Sequence, residues 1–155
     1  MKLNRQKKRL YLDLCALERP YDDQSYPRIE AETAAVTMIM ALVKAKEYVL
    51  SYSPVHEDEL QPIPDGAMRL EIVKLLHSYG EDAALVAEFG EVEKRGVALY
   101  GRGMGISDAM HVAYAESCGA EFITCDDDLL RKCRRNNVTI WCGTPVDFAK
   151  KEGLL

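Results

Sequence analysis

The chain has 155 residues, of which 48% are hydrophobic and 29% are charged, and its formal net charge is −5. This length and composition are typical of one soluble globular domain with a hydrophobic core of its own. They argue against a membrane protein, because no apolar run approaches the roughly 20 residues of a transmembrane helix. The net negative charge argues against a protein that simply coats nucleic acid.

The first part of the chain is predicted to alternate strands and helices. RLYLDL (9–14) is predicted as the first strand. A long helix follows, because Pro27 suits a first helical turn and the apolar residues after it recur at helical spacing. EYVLSYS (47–53) is predicted as the second strand, and Pro54 opens a short helix over VHEDEL.

The middle of the chain is predicted to contain a loop, helical segments and a third strand. QPIPD (61–65) is predicted as a loop because it carries two prolines. Residues 66–89 are predicted as one or two helices, with a break at Gly80. RGVALY (95–100) is predicted as a short third strand.

A helix, a strand and a second helix are predicted next. SDAMHVAYAESCGA is predicted as a helix, with Ser107 as its N-cap and Gly119 as its C-terminal stop. EFITC is predicted as the fourth strand, and DDDLLRKCRRN as the helix after it.

The final elements complete an alternating pattern. VTIWCG is predicted as the fifth strand, and TPVDFAKKE as a closing helix with Thr144 as its cap and Pro145 at its first position. Strands separated by helices predict an α/β fold, with a mainly parallel sheet of about five strands covered on both faces. In such folds the ligand site lies at the carboxyl ends of the strands.

The cysteines and the N-terminal segment both indicate a cytoplasmic protein. The five cysteines are odd in number and lack a CxxC spacing, so we expect reduced, mostly buried thiols. The segment MKLNRQKKRLYLDL is basic, but its apolar run is short and is interrupted by Asp13. These features are not those of a secretory signal.

Carboxylates accompany the ends of four predicted strands. They are Asp13 in the first strand, Glu57, Asp58 and Glu59 after the second, Asp108 after the third, and Asp126, Asp127 and Asp128 after the fourth. Two carboxylates about 4 Å apart repel by roughly 4 kcal/mol at an effective dielectric near 20. A cluster at one sheet edge therefore needs protons or cations, and oxygen-only clusters suit Mg²⁺ or Mn²⁺.

Helix capping is the competing explanation for some of these acids. Aspartates at 126–128 and at 108 suit a helix N-terminus, where a carboxylate is favoured by free backbone N–H groups and by the helix dipole. Asp13 is different, because it interrupts the apolar stretch LYLDLCAL. A charge is rarely buried in such a stretch without a partner.

Two basic runs complete the charge pattern. One contains Lys2, Arg5, Lys7, Lys8 and Arg9, and the other contains Arg131, Lys132, Arg134 and Arg135. Basic runs are usually solvated faces. The second run directly follows the aspartates, so we also consider it a contact surface for the phosphates of a nucleic acid.

These segments together resemble a PIN-domain (PilT N-terminus-like) nuclease. The resemblance is carried by LYLDLCALERPYDD, SPVHEDEL and GISDAMHVAYAESCGAEFITCDDDLL. Its most specific part is an Asp-Ala-x-His helix followed by a strand and Thr-x-Asp. The resemblance spans nearly the whole chain and implies a single PIN-like domain over 1–155. It also implies a three-layer α/β/α sandwich and cleavage of RNA with a divalent metal.

The resemblance also assigns roles to individual residues. It implies that four acids are catalytic and bind Mg²⁺ or Mn²⁺: Asp13, Glu59, Asp108 and Asp126. Asp128 resembles an accessory metal-binding acid, and Thr124 a hydroxyl beside the metal. Asp127 is predicted to cap its helix and face solvent.

Two departures from the family pattern concern the first and second acids. Leu14 stands where many members have a small polar residue. Glu57 competes with Glu59 for the second role, and both cannot point in one direction, because residues two apart lie on different faces of a helix. We prefer Glu59.

The function implied is that of a metal-dependent endoribonuclease. The expected substrate is single-stranded RNA, and Arg131, Lys132, Arg134 and Arg135 are predicted to contact flanking phosphates. The resemblance further implies the toxin of a toxin–antitoxin pair, an antitoxin protein as partner, and a homodimer. The alternative is a non-catalytic PIN-like interaction module that binds a protein or RNA partner.

Other enzyme classes fit the residues less well. GRGMG (101–105) resembles a dinucleotide-binding turn, but Ile106 stands where the fingerprint needs its last glycine. A haloacid-dehalogenase-like phosphatase needs a second aspartate two residues after Asp13, where Cys15 stands. His111 lies three residues after Asp108 and is interpreted as a packed core histidine, with orientation of a carboxylate as the alternative.

Overall fold

The central sheet has five strands, and every pair of neighbours in it is parallel. A computed structural model of the chain describes residues 6–155, so Lys2 and Arg5 of the first basic run lie outside the described residues. The strands are β1 Arg9–Leu12, β2 Val49–Tyr52, β3 Gly80–Asp82, β4 Glu121–Ile123 and β5 Cys142–Gly143. Their order across the sheet is β3-β2-β1-β4-β5, which places β1 at the centre.

Helices connect the strands. They are α1 Leu14–Glu18, α2 Pro27–Lys44, α3 Pro54–Leu60, α4 Gly66–Tyr79, α5 Phe89–Gly101, α6 Ile106–Ser117, α7 Asp127–Arg135 and α8 Pro145–Lys151. Two short 3₁₀ helices, Arg19–Tyr21 and Ala83–Leu85, join this set. Among residues 6–155, no helix combines the length and the apolar character that crossing a membrane requires.

The fold has three layers because β1 is buried on both of its faces. Successive side chains of a strand point to opposite faces. Leu10 and Leu12 pack into a core with residues of α1, α2, α4 and α8, whereas Tyr11 packs into a second core with residues of α5, α6 and α7. The predicted three-layer α/β/α sandwich with a parallel sheet of about five strands is therefore confirmed.

The register of β1 determines which loops meet at the carboxyl edge of the sheet. Arg9 pairs with Val49 of β2, and Leu12 pairs with Ile123 of β4. The backbone N–H of Asp13 extends the second ladder by donating to the Ile123 carbonyl at 3.1 Å. The ends of β1, β2 and β4 therefore lie side by side, and the loops after them share one edge.

The prediction of a third strand at 95–100 is wrong, because this segment belongs to α5. The buried residues of α5 are Val92, Gly96 and Leu99, whose spacing is that of one helical face. A Cβ at Gly96 would collide with the sulfur of Met110 in α6. The glycine thus lets two helices pack closely, and the third strand is the polar segment Gly80–Asp82 instead.

The other differences concern element ends. Ser107 is not the N-cap of its helix, because Gly105 holds that position and Ser107 lies in the first turn. The fifth strand is only two residues long. The predictions for Pro27, Thr144 and Pro145 are confirmed, since each stands at the predicted cap or first turn. Gly119 also ends its helix as predicted, with φ +65°.

Candidate functional site

Asp13 lies directly after β1, at the centre of the carboxyl edge. Its side chain caps α1, and its Oδ1 accepts hydrogen bonds from the Ala16 backbone N–H at 3.2 Å and the Cys15 thiol at 2.9 Å. Only 4% of the residue is exposed. The first predicted acid is therefore a buried carboxyl.

Burial raises the pKa of Asp13 well above its ordinary value of 3.8, and the neighbouring Cys15 adds to the effect. A hydrogen bond from Thr124 and the proximity of His111 oppose the shift without cancelling it. The protein alone therefore does not fully compensate a negative charge at Asp13, as expected for a buried carboxylate without a cation.

Asp108 lies in the first turn of α6, on the other side of this edge. Its pKa is also raised, first by partial burial and then by the negative charges of Asp126 and Glu59. His111 and Lys132 act in the opposite direction. The structure thus brings three of the predicted acids close enough for their charges to interact.

Glu59 lies on α3 and its carboxylate contacts Nε2 of His111, which is 1% exposed. Glu57, two residues earlier, instead meets Nε2 of His77 on α4 at 3.0 Å, with both side chains about half exposed. The two glutamates point to different neighbours. Of the two, Glu59 is the one whose charge acts on Asp108.

Asp126 is the N-cap of α7, as capping chemistry predicts. Its Oδ1 accepts from the backbone N–H groups of Asp128 at 3.0 Å and Leu129 at 3.1 Å. Its own N–H donates to Thr124 Oγ1 at 3.1 Å. Thr124 is fully buried, and its Oγ1 lies 3.4 Å from Cys15 Sγ, whose thiol donates to Asp13, so the hydroxyl connects the fourth predicted acid with the first through Cys15.

Asp127 and Asp128 have cationic partners of their own. Asp127 was expected to face only solvent, but Arg28 of α2 holds its two oxygens at 2.7 and 2.8 Å. Asp128 pairs at 2.9 Å with both Arg131 and Lys132. These partners lower the pKa of both aspartates. Asp128, the predicted accessory ligand, is thus an exposed member of an ion-pair cluster.

The four remaining predicted ligands do not form a ready-made cage. Across residues 6–155, no three His, Cys, Asp or Glu side chains converge closely enough to hold one ion. Asp13, Glu59 and Asp126 each direct one oxygen at a donor of the protein. Their carboxylate oxygens are chemically suited to Mg²⁺ or Mn²⁺.

The predicted RNA contacts divide into two pairs. Arg131 and Lys132 are engaged by Asp128, as described above. Arg134 and Arg135 lie in the last turn of α7 and are exposed. The second pair is therefore the more accessible part of this basic run.

The sequence did not single out a buried polar network beneath α3. Tyr11 OH lies 2.7 Å from Ser53 Oγ and 2.6 Å from His111 Nδ1. His56 accepts from the Ser53 backbone N–H through Nδ1, so its Nε2 donates to the Leu12 carbonyl at 2.7 Å. One signal was available: a tyrosine inside a buried strand must find a partner for its hydroxyl.

His56 is a neutral member of this network. Burial lowers its pKa to about 3, and the nearby His111 contributes to the shift. The ring of His56 lies 4.7 Å from that of His111 and 4.9 Å from that of Tyr11, centroid to centroid. His56 therefore joins the first turn of α3 to the end of β1 without adding a charge.

Comparisons with known proteins give distant likenesses among solved structures. No protein-family model matches the chain, and no curated protein matches it. Among solved structures, the chain is similar to FitAcB from Neisseria gonorrhoeae, with 12% sequence identity and a TM-score of 0.49. That match covers 88% of this chain and 97% of the other. The fold class rests on the sheet order and the three layers described above.

Proposed function

We propose that the protein is a Mg²⁺- or Mn²⁺-dependent endoribonuclease that hydrolyses phosphodiester bonds of single-stranded RNA. One observation carries the proposal. Four carboxylates from four separate segments occupy one edge of a parallel sheet. Burial raises the pKa of Asp13, and burial together with repulsion from Asp126 and Glu59 raises the pKa of Asp108. The four carboxylates are those of Asp13, Glu59, Asp108 and Asp126.

Such an arrangement is costly for a protein that binds no cation. A carboxylate that is buried without full compensation destabilises the folded state, and neighbouring carboxylates add repulsion. A divalent ion would offset both effects at once. Clusters of perturbed acids at the ligand-binding edge of an α/β sheet are typical of functional sites.

The four acids would hold the ion through their carboxylate oxygens. When bound, Mg²⁺ or Mn²⁺ would lower the pKa of a coordinated water and offset charge on the phosphate oxygens. The protein itself contributes orientation. His111 contacts Glu59, and Thr124 accepts from the backbone N–H of Asp126 and lies 3.4 Å from Sγ of Cys15, which donates to Asp13. Asp13 is shielded from bulk water by its burial.

The basic end of α7 supports RNA as the substrate. Arg134 and Arg135 are exposed and lie on the helix that Asp126 caps, where they can contact flanking phosphates. The sequence resemblance extends the proposal to the toxin of a toxin–antitoxin pair. An antitoxin protein and a second copy of the chain are then the expected protein partners.

Cleavage of a fluorescent single-stranded RNA in Mn²⁺ tests the nuclease. Asp108→Asn should lower the rate at least about 100-fold, and EDTA should abolish cleavage by the parent. Asp58→Asn is the matched control, because Asp58 is an exposed acid beside Glu59. Equal activity of parent and Asp108→Asn would assign the cleavage to a contaminant or to another site.

A cavity favours the alternative of an interaction module. It has a volume of about 290 Å³ between α1, α2 and α4, and Leu17, Met40 and Ile72 are among its mainly apolar lining residues. As an interaction module, the protein would bind a protein or RNA partner without catalysis. That alternative predicts no stabilisation by Mn²⁺ and no cleavage of any RNA by the parent protein.

A further inference from the structure

The buried network beneath α3 ends at one of the four acids. We propose that Tyr11 and His111 are positioning residues that hold Glu59 at the acid edge, with Ser53 fixing the hydroxyl of Tyr11. This inference rests on the proposed function, since it concerns how one of the proposed metal ligands is held. It assigns a role to groups that are not themselves ligands.

The contacts form one continuous path through the core. Ser53 and Tyr11 are fully buried, and His111 is 1% exposed. Ser53 Oγ lies 2.7 Å from Tyr11 OH, which lies 2.6 Å from His111 Nδ1. The opposite nitrogen of the same ring, Nε2, contacts the carboxylate of Glu59. The path therefore leads from the end of β2 to the acid edge.

Which group donates and which accepts in each hydrogen bond follows from the hydrogens that each group carries. An ionised Glu59 only accepts, so His111 must carry its hydrogen on Nε2. We take the ring of His111 as neutral in this arrangement, so that Nδ1 is an acceptor and Tyr11 donates to it. Ser53 Oγ already accepts from the Val55 backbone N–H and completes the path by donating to the oxygen of Tyr11.

Each hydrogen bond along this path thus fixes the donor and the acceptor of the next one. The hydroxyl of Tyr11 stabilises the tautomer of His111 that donates to Glu59. A partner that fixes the tautomer of a histidine and orients a ligating carboxylate is the usual outer-shell arrangement around metal sites. Without Tyr11 OH, the ring could place its hydrogen on Nδ1 and would then present a lone pair to the carboxylate.

The same path connects two of the acids mechanically. His111 and Asp108 are three residues apart on α6, so they lie on neighbouring positions of one helix face. Glu59 on α3 is thereby held to the helix that carries Asp108. At its other end, α3 is tied to the end of β1, because His56 donates to the Leu12 carbonyl at 2.7 Å.

Binding of Mn²⁺ to the RNA-free protein, measured by electron paramagnetic resonance, tests this role. Tyr11→Phe keeps the ring and removes only the hydroxyl, and we expect Mn²⁺ affinity to fall about 10-fold or more. Tyr48→Phe is the matched control, since Tyr48 OH donates to Glu152 at 3.3 Å, away from the acids. This control should bind Mn²⁺ as the parent does.

Two substitutions of His111 separate positioning from packing. The amide of His111→Gln reaches about as far as Nε2 and should retain most of the affinity for Mn²⁺. The shorter amide of His111→Asn cannot reach Glu59, so this variant should lose about as much affinity as Tyr11→Phe. Equal affinities of the two variants would contradict the proposal.

The tautomer of His111 provides a readout that needs no metal. Long-range ¹H–¹⁵N spectra of the metal-free parent should show the hydrogen of His111 on Nε2, and Glu59→Gln should shift that resonance. A hydrogen on Nδ1 would overturn the proposal.

The outcomes distinguish this inference from the proposed function. If the parent binds no Mn²⁺, the proposed metal site fails, and the positioning role fails with it. If the parent binds Mn²⁺ and Tyr11→Phe only melts at a lower temperature with unchanged affinity, the network serves stability alone, and only the positioning role is overturned.

Discussion

Two aspartate environments lie side by side at the carboxyl edge of this sheet, and they differ in burial and in the direction in which the pKa is shifted. Asp13 is buried, and its pKa is raised by burial. Asp127 and Asp128 are more than half exposed in their side chains, and basic partners lower their pKa. Clustering of acids in sequence therefore does not define a site, because the surroundings of each carboxylate determine what it can do.

The lowered pKa of the exposed Asp127 is explained by its contact with Arg28. Arg28 holds both oxygens of Asp127 and also donates to the Cys125 carbonyl at 3.2 Å. Its Nε reaches the buried Glu32, which Arg19 also contacts. The residues on either side of Asp126 are thus clamped to α2. Asp13 instead accepts from the Cys15 thiol and the Ala16 backbone N–H, neither of which carries a charge.

The largest effect on stability is expected for Asp13→Asn without metal. The pKa of Asp13 is raised in the folded state, so its contribution to stability is fully present below the unfolded pKa near 4 and is lost as pH rises through the folded value. Asparagine keeps the capping acceptor and carries no charge. Urea denaturation in EDTA at pH 7 should show a gain of about 2 kcal/mol for the variant.

This gain should depend on pH and should be accompanied by a loss of Mn²⁺ binding. At pH 4 the difference between parent and variant should shrink, since Asp13 is then protonated in the folded state. Lower stability of Asp13→Asn at pH 7 would show that the buried carboxylate is already compensated by the protein. The contrast between the two aspartate environments would then be wrong.

An intermediate effect is expected for Arg28→Ala. This change leaves Asp127 unpaired and removes one of the two arginines at Glu32, whose side chain is 2% exposed. Arg28 is itself half exposed, so we expect a loss of only about 1–2 kcal/mol rather than the cost of a fully buried broken pair. Arg134→Ala is the control for loss of one positive charge, because Arg134 is an exposed arginine on α7. This control should change the free energy of unfolding little.

The smallest effect is expected for Asp127→Asn. The pKa of Asp127 is lowered by Arg28, so its contribution to stability is present above the unfolded pKa and is lost as pH falls through the folded value. Because the pair is exposed, the loss at pH 7 should be below about 1 kcal/mol. Thermal melts of parent and variant in low and high salt show whether the loss of stability is electrostatic. If it is, added salt should reduce the difference in melting temperature between the two proteins. A large, salt-independent loss would instead indicate a packing role.

Much of the fold was predictable because periodicity and capping act locally. Pro27, Thr144 and Pro145 start helices for reasons contained in a few neighbouring residues. The segment 95–100 was misassigned because a short apolar run is compatible with both a strand and one face of a helix. Close packing of Gly96 on Met110 decides between them, and that contact is visible only in three dimensions.

The acids of the candidate site could be predicted from the sequence, but the residues that contact them could not. Strand ends and helix caps place Asp13 and Asp126 from local rules. The contact of Arg28 with Asp127 joins segments far apart in the chain, as does that of Tyr11 with His111. No local pattern encodes such pairs, because the sheet order and the helix packing bring them together. His56, three residues before Glu59, was overlooked for the same reason.

The central position of β1 has a consequence for the synthesis of the protein. β1 leaves the ribosome well before β4, one of its two neighbours, which begins only at Glu121. Parallel pairing between such distant segments must wait until both exist. A growing chain therefore carries Asp13 and Glu59 before Asp126 has been made. Asp126 can join this edge only after β4 has paired with β1.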